Sequence, residues 1–72
     1  MTGEPRDLAI RGDTIRLGQA LKLAGLADSG GEARALVASG AVSVGDEVET
    51  RRGRQLHRGD VVAVGGERVR IA

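Results

Sequence analysis

Ser29-Gly30-Gly31-Glu32-Ala33-Arg34-Ala35-Leu36-Val37-Ala38-Ser39-Gly40-Ala41-Val42-Ser43-Val44-Gly45-Asp46-Glu47-Val48 is where the apolar period of this chain changes. Ser29 followed three residues on by Glu32 matches a capping box, which opens a helix by satisfying its first free N–H groups. Ala33, Leu36 and Val37 then form one buried stripe, and Gly40 suits a stop, so a helix is expected over about 30–39. Beyond it the period falls to two. Val42 and Val44 share a face, Gly45-Asp46 fits a two-residue hairpin turn, and Val48 answers on the return strand. A helix that feeds a hairpin predicts an α+β fold.

Working toward the N-terminus, Leu17, Ala20, Leu21 and Ala24 recur at helical spacing, and Gly25 suits the C-terminal cap. The spacing predicts a helix over about 17–24, with Gln19 and Lys22 off its apolar face. Gly18 inside it costs about 1 kcal/mol relative to Ala and would permit close approach of another backbone or of a ligand. Residues 1–7 read as a flexible tail. Leu8-Ala9-Ile10-Arg11-Gly12 reads as a short strand ending at Gly12-Asp13.

Toward the C-terminus, Val61-Val62-Ala63-Val64 reads as a buried strand after a Gly59-Asp60 turn. Gly65-Gly66 marks a hairpin, and Val69 and Ile71 alternate with Arg68 and Arg70. The expectation is one domain over 8–72, with two short helices packed against a small antiparallel sheet so that both apolar faces are buried together.

Composition restricts function. The chain has 72 residues, no cysteine and one histidine, which excludes disulfides, thiolate chemistry and zinc fingers. No apolar run is long enough to span a membrane. The polar start Met1–Pro5 lacks the apolar segment of a signal peptide, so a cytoplasmic protein is expected. There is no nucleophile elbow, and Gly30-Gly31 and Gly65-Gly66 lack the lysine and spacing of a P-loop. His57 has no acid–base partner legible in sequence, so no catalysis and no cofactor are expected. Asp46, Glu47 and Glu49 near the hairpin turn serve to solubilise it or to pair with Arg51 and Arg52, with a divalent ion the lesser alternative.

The basic charge is unevenly placed. Net charge is +1, from 11 Lys+Arg against 10 Asp+Glu, yet residues 51–58 hold four arginines, one histidine and no acid. Such a cluster is the electrostatic footprint of a phosphate-binding surface. The chain has no Phe, Trp or Tyr on which successive bases of a single strand would stack, so a folded RNA or duplex is favoured as target. The start of the second helix is a further place for phosphate, although Ser29 acts as a cap in either case. The near-neutral charge and interspersed acids fit a second reading, a small protein-interaction module.

Taken in order, Arg16-Leu17 and a helix, Gly25-Leu26-Ala27, Ser29 and a helix with Ala33-Arg34, Gly40-Ala41-Val42-Ser43-Val44 and a turn, then Gly59-Asp60-Val61-Val62 resemble the S-four-like RNA-binding domain. That module is named after a ribosomal small-subunit protein. The resemblance covers about residues 15–65, and Glu47-Val48-Glu49-Thr50-Arg51-Arg52 looks like the stand-alone bacterial branch. It implies a non-catalytic binder of structured RNA, ribosomal RNA among the candidates; separately, a monomer with no small-molecule substrate is expected. Arg16, Ser29 and Arg34 match family positions on the RNA-facing surface. The sequence departs from the family at Gly18, where an acid is frequent, at Gly30, where arginine is frequent, and at Gly45-Asp46, where Asn-Gly is usual. Those departures shift weight to the arginine stretch. The expected RNA-binding set is Arg16, Lys22, Ser29, Arg34, Arg51, Arg52, Arg54 and Arg58.

Overall fold

The computed structural model describes residues 5–72. In chain order the elements are β1 (Arg6–Leu8), β2 (Thr14–Arg16), α1 (Leu17–Leu23), α2 (Gly30–Ala38), β3 (Val42–Val44), β4 (Glu47–Val48), β5 (Gln55–His57), β6 (Val61–Val64) and β7 (Glu67–Ile71). The fold is α+β, with two short helices and a small sheet in one domain, as the change of period predicts. Both helix ends are closed as the capping residues require. The Ser29 hydroxyl accepts from the Glu32 N–H at 3.1 Å at the head of α2. At the foot of α1 the N–H of Gly25 donates to the Lys22 carbonyl and that of Leu26 to the Leu21 carbonyl.

The main sheet has the order β1-β7-β6-β3-β4. Three of its pairings are antiparallel, but β1 runs parallel to β7, with Arg6 opposite Val69 and Leu8 opposite Ile71. The sheet is therefore mixed, where an antiparallel one is expected from sequence. Arg6 and Asp7, assigned to the tail on sequence, belong to this strand; residues 1–4 lie outside the described residues. The strand expected over 8–12 starts earlier and ends at Leu8, because β7 finishes at Ile71. Ladder bonding continues only through Ala72, which donates to the Leu8 carbonyl and accepts from the Ile10 N–H.

The β3–β4 hairpin turns on Gly45 and Asp46, both at positive φ (56° and 78°), the geometry whose twist matches the flanking strands. With a two-residue loop, Val44 faces Glu47 and Ser43 faces Val48. Val48 thus lies on the opposite side of the sheet from Val42 and Val44, and is exposed while they are buried.

A separate two-stranded ribbon pairs β2 with β5, placing Ile15 opposite Leu56 and Arg16 opposite Gln55. This strand lies inside the arginine stretch that reads as loop on charge. Leu56 at its centre is fully buried, in the same core as Leu17, Leu21, Val37, Val42, Val62 and Ile71. On β7, Val69 and Ile71 face that core while Arg68 and Arg70 are exposed. On β6 only Val62 is fully buried, and its neighbours are half-buried. Leucine, valine, isoleucine and alanine build the whole core.

Candidate nucleic-acid interface

The β2–β5 ribbon carries the arginine stretch to the start of α1. There the Leu17 N–H donates to the Arg54 carbonyl at 2.9 Å and the Gly18 N–H to the Arg52 carbonyl at 3.0 Å. Arg16, in the N-cap position, makes no side-chain capping bond. The backbone of residues 52–54 takes over that role, so these two free donors of the helix are consumed within the protein.

The close approach expected at Gly18 is made by Arg52. A Cβ added at Gly18 would fall 2.6 Å from Arg52 Cγ and 3.1 Å from its Cδ. The aliphatic stem of Arg52 therefore lies across the first turn of α1, where only glycine leaves room for it.

Glu49 organises the same loop. Its carboxylate is almost wholly buried and accepts from the Arg51 N–H at 2.9 Å, Arg51 Nε at 3.0 Å, Arg51 Nη2 at 3.2 Å and Arg54 Nη1 at 2.9 Å. The side-chain bonds from Arg51, then Arg54, and the Arg51 backbone N–H lower its pKa from 4.5 to about 2, against a smaller opposing effect of burial. The same hydrogen bond raises the Arg51 pKa further. Of the pairings expected on sequence, Glu49 with Arg51 is present; the second arginine on Glu49 is Arg54 and not Arg52. Among the described residues, no group of three or more His, Asp and Glu is placed to hold a metal ion.

Ion pairing divides the expected set. Arg51 and Arg54 are held by Glu49, and Arg58 pairs with Asp13 at 3.1 Å while also donating to the Ile10 carbonyl. Arg16, Lys22, Arg34 and Arg52 have no carboxylate partner among the described residues. Three of these four, Arg16, Lys22 and Arg52, line one concavity of about 230 Å³, together with Gln19, Gly18 and Gly30. No carboxylate lines it.

Arg34 is exposed on α2 but outside that lining, and Ser29 adjoins it only through Gly30. The head of α2 also carries two exposed acids. The Glu32 carboxylate accepts from the Asp28 N–H, where a capping box would bond the Ser29 N–H, and Asp28 stands beside it. Their charge opposes a phosphate at this terminus.

Gln19, which lines the concavity beside Lys22, is absent from the set expected on sequence. Its signal was present, since it shares with Lys22 the polar side of the helix at i, i+3 spacing.

A family model described as S4 domain matches residues 8–72. A relative named "Probable ribosome maturation protein RlbA", from Bacillus subtilis (strain 168), is 46% identical over 59 residues, which span 82% of this chain and 83% of that protein. Among the described residues no helix is long and apolar enough to cross a membrane.

Proposed function

The chain belongs to the S4 domain family, and we propose on that footing that it is a non-catalytic binder of structured RNA that serves the ribosome. It acts as a cytoplasmic monomer, with ribosomal RNA the favoured partner. The phosphates sit against Arg16, Lys22 and Arg52, with Arg34 reaching the RNA from the flank of α2 and Ser29 at the margin. Arg51, Arg54 and Arg58 act mainly by shaping the loops that carry this surface.

The observation that carries the proposal is the convergence of three unpaired cations on a concavity with no acid in its lining. It also answers the objection from a net charge of +1. Asp7, Asp13, Glu49 and Glu67 pair with other arginines, and no acid lines the concavity, which leaves a local positive field there. Affinity then comes from counterion release and shape.

The test is a salt titration of binding to a folded ribosomal RNA fragment, read by fluorescence anisotropy. Each of Arg16→Ala, Lys22→Ala and Arg52→Ala should weaken binding and reduce the slope of log affinity against log salt by roughly 1. Arg58→Ala should change that slope much less. Equal slopes for the wild type and the triple variant would remove the site. A protein partner that survives nuclease treatment, with no RNA response, would favour the protein-interaction reading.

A further inference from the structure

The Ala9–Thr14 segment and the flank of α1 enclose a second groove, of about 610 Å³, that the phosphate site leaves unused. Three large aliphatic residues line it. Ile10 and Ile15 are half-buried, and Leu23 is 58% exposed although it is a large apolar residue on a helix. Arg11, Arg16, Gln19 and Gln55 complete the lining, again with no carboxylate. Arg16 and Gln19 line both concavities, so the groove continues the basic surface. The segment that forms its outer wall is pinned by Arg58, which donates to the Ile10 carbonyl and pairs with Asp13.

We propose that this groove receives one unpaired nucleobase of the RNA whose phosphates lie on Arg16, Lys22 and Arg52. The proposal rests on the RNA-binding reading above. A nucleobase has flat faces of low polarity and an edge of donors and acceptors. The aliphatic side chains cover one face, and a guanidinium plane from Arg11 or Arg16 stacks on the other. Gln19 and Gln55 each present a donor and an acceptor to the edge. Arg11 has no carboxylate partner among the described residues and remains available. The chain lacks aromatic rings for a run of stacked bases, but one displaced base beside a folded region fits a single groove. The RNA is thereby specified further, as a duplex or fold interrupted by a bulged or flipped nucleotide.

The composition supplies a clean readout. With no Phe, Trp or Tyr in the chain, a ring-current shift of a methyl signal far from His57 reports an added base. Isotope-labelled protein is titrated with adenosine 5′-monophosphate and, separately, with ribose 5-phosphate. The methyl signals of Ile10, Ile15 and Leu23 should move upfield with the nucleotide and stay in place with the sugar phosphate. Identical responses to both compounds would overturn the proposal.

A second measurement separates this inference from the reading it rests on. Binding is compared for a short RNA hairpin and the same hairpin with one bulged adenosine. The wild type should prefer the bulged form by roughly fivefold. Leu23→Ser, at an exposed position, should abolish the preference and leave affinity for the plain hairpin unchanged. Equal affinity of the wild type for both hairpins, or a Leu23→Ser loss that is the same for both, sinks the groove and leaves the phosphate site standing. Failure of the wild type to bind either hairpin overturns both.

Discussion

The side chain of Arg52 crosses Gly18 so closely that a single added carbon would lie 2.6 Å from its Cγ. A glycine that looks merely tolerated in a helix is thus the seat of an arginine. The Gly18 N–H, bonded to the Arg52 carbonyl, fixes the backbone of the same residue. Position 18 therefore controls where one of the three converging cations stands.

Gly18→Ala should displace Arg52 and weaken RNA binding nearly as much as Arg52→Ala does. The helix gains about 1 kcal/mol of propensity from the exchange, which offsets much of the cost of moving the arginine stem. Urea unfolding followed by far-ultraviolet circular dichroism should accordingly place the variant within about 1 kcal/mol of the wild type. Unaltered affinity would mean that the seating of Arg52 does not matter to binding.

Glu49 makes the fold sensitive to acid. Its pKa is lowered in the folded protein to about 2 from an ordinary 4.5. The folded state thus holds this proton less tightly than the unfolded chain does. The resulting stabilisation is fully present above about pH 4.5 and is lost as pH falls toward about 2. Glu49→Gln should be less stable than the wild type at neutral pH, and its unfolding midpoint should change less with pH across that window. Parallel pH profiles for the two proteins would show that Glu49 does not carry this linkage.

Leu56→Ala tests whether the arginine stretch is a core element. Leu56 is fully buried at the centre of β5. Truncating such a leucine costs about 2–5 kcal/mol. For a domain this small that is a large part of a total of roughly 4–11 kcal/mol. Denaturant unfolding should show a loss in that range, whereas a loss below about 1 kcal/mol would return the segment to a surface loop.

Ser29→Ala separates capping from binding. Loss of the hydroxyl that accepts from the Glu32 N–H should cost about 1 kcal/mol of stability. RNA affinity, measured where the variant is still fully folded, should change little, because Asp28 and Glu32 already dominate the charge at that helix end. A large loss of affinity at unchanged stability would make the Ser29 hydroxyl a direct RNA contact.

Local chemistry was the legible part of this chain. The α1 and α2 stripes, the Ser29 cap, the Gly45-Asp46 turn and the β6–β7 alternation all depend on residues within a few positions of one another, and periodicity reports such patterns directly. Arg16, Lys22 and Arg52 could be nominated as phosphate contacts because their charge is visible. The nomination did not sort them from Arg51, Arg54 and Arg58.

That sorting depended on contacts between segments distant in sequence. Glu49 sits two and five residues from the arginines it neutralises, but its buried carboxylate chooses Arg54 over Arg52 because Arg52 is laid across Gly18. Asp13 is 45 residues from Arg58 and pairs with it beside the β2–β5 ribbon. The parallel strand at Arg6–Leu8 exists because β7 offers it an edge. Sequence alone determined the α+β class, the helices and their caps, the hairpins and the presence of an uneven basic charge, since these follow from local backbone preference and side-chain period. Only the tertiary structure decided which cations remain free and that three of them, Arg16, Lys22 and Arg52, converge on one concavity. An ion pair depends on distance through space, and the β2–β5 ribbon that sets those distances joins segments whose apolar residues, Ile15 and Leu56, carry too little local pattern to announce their pairing.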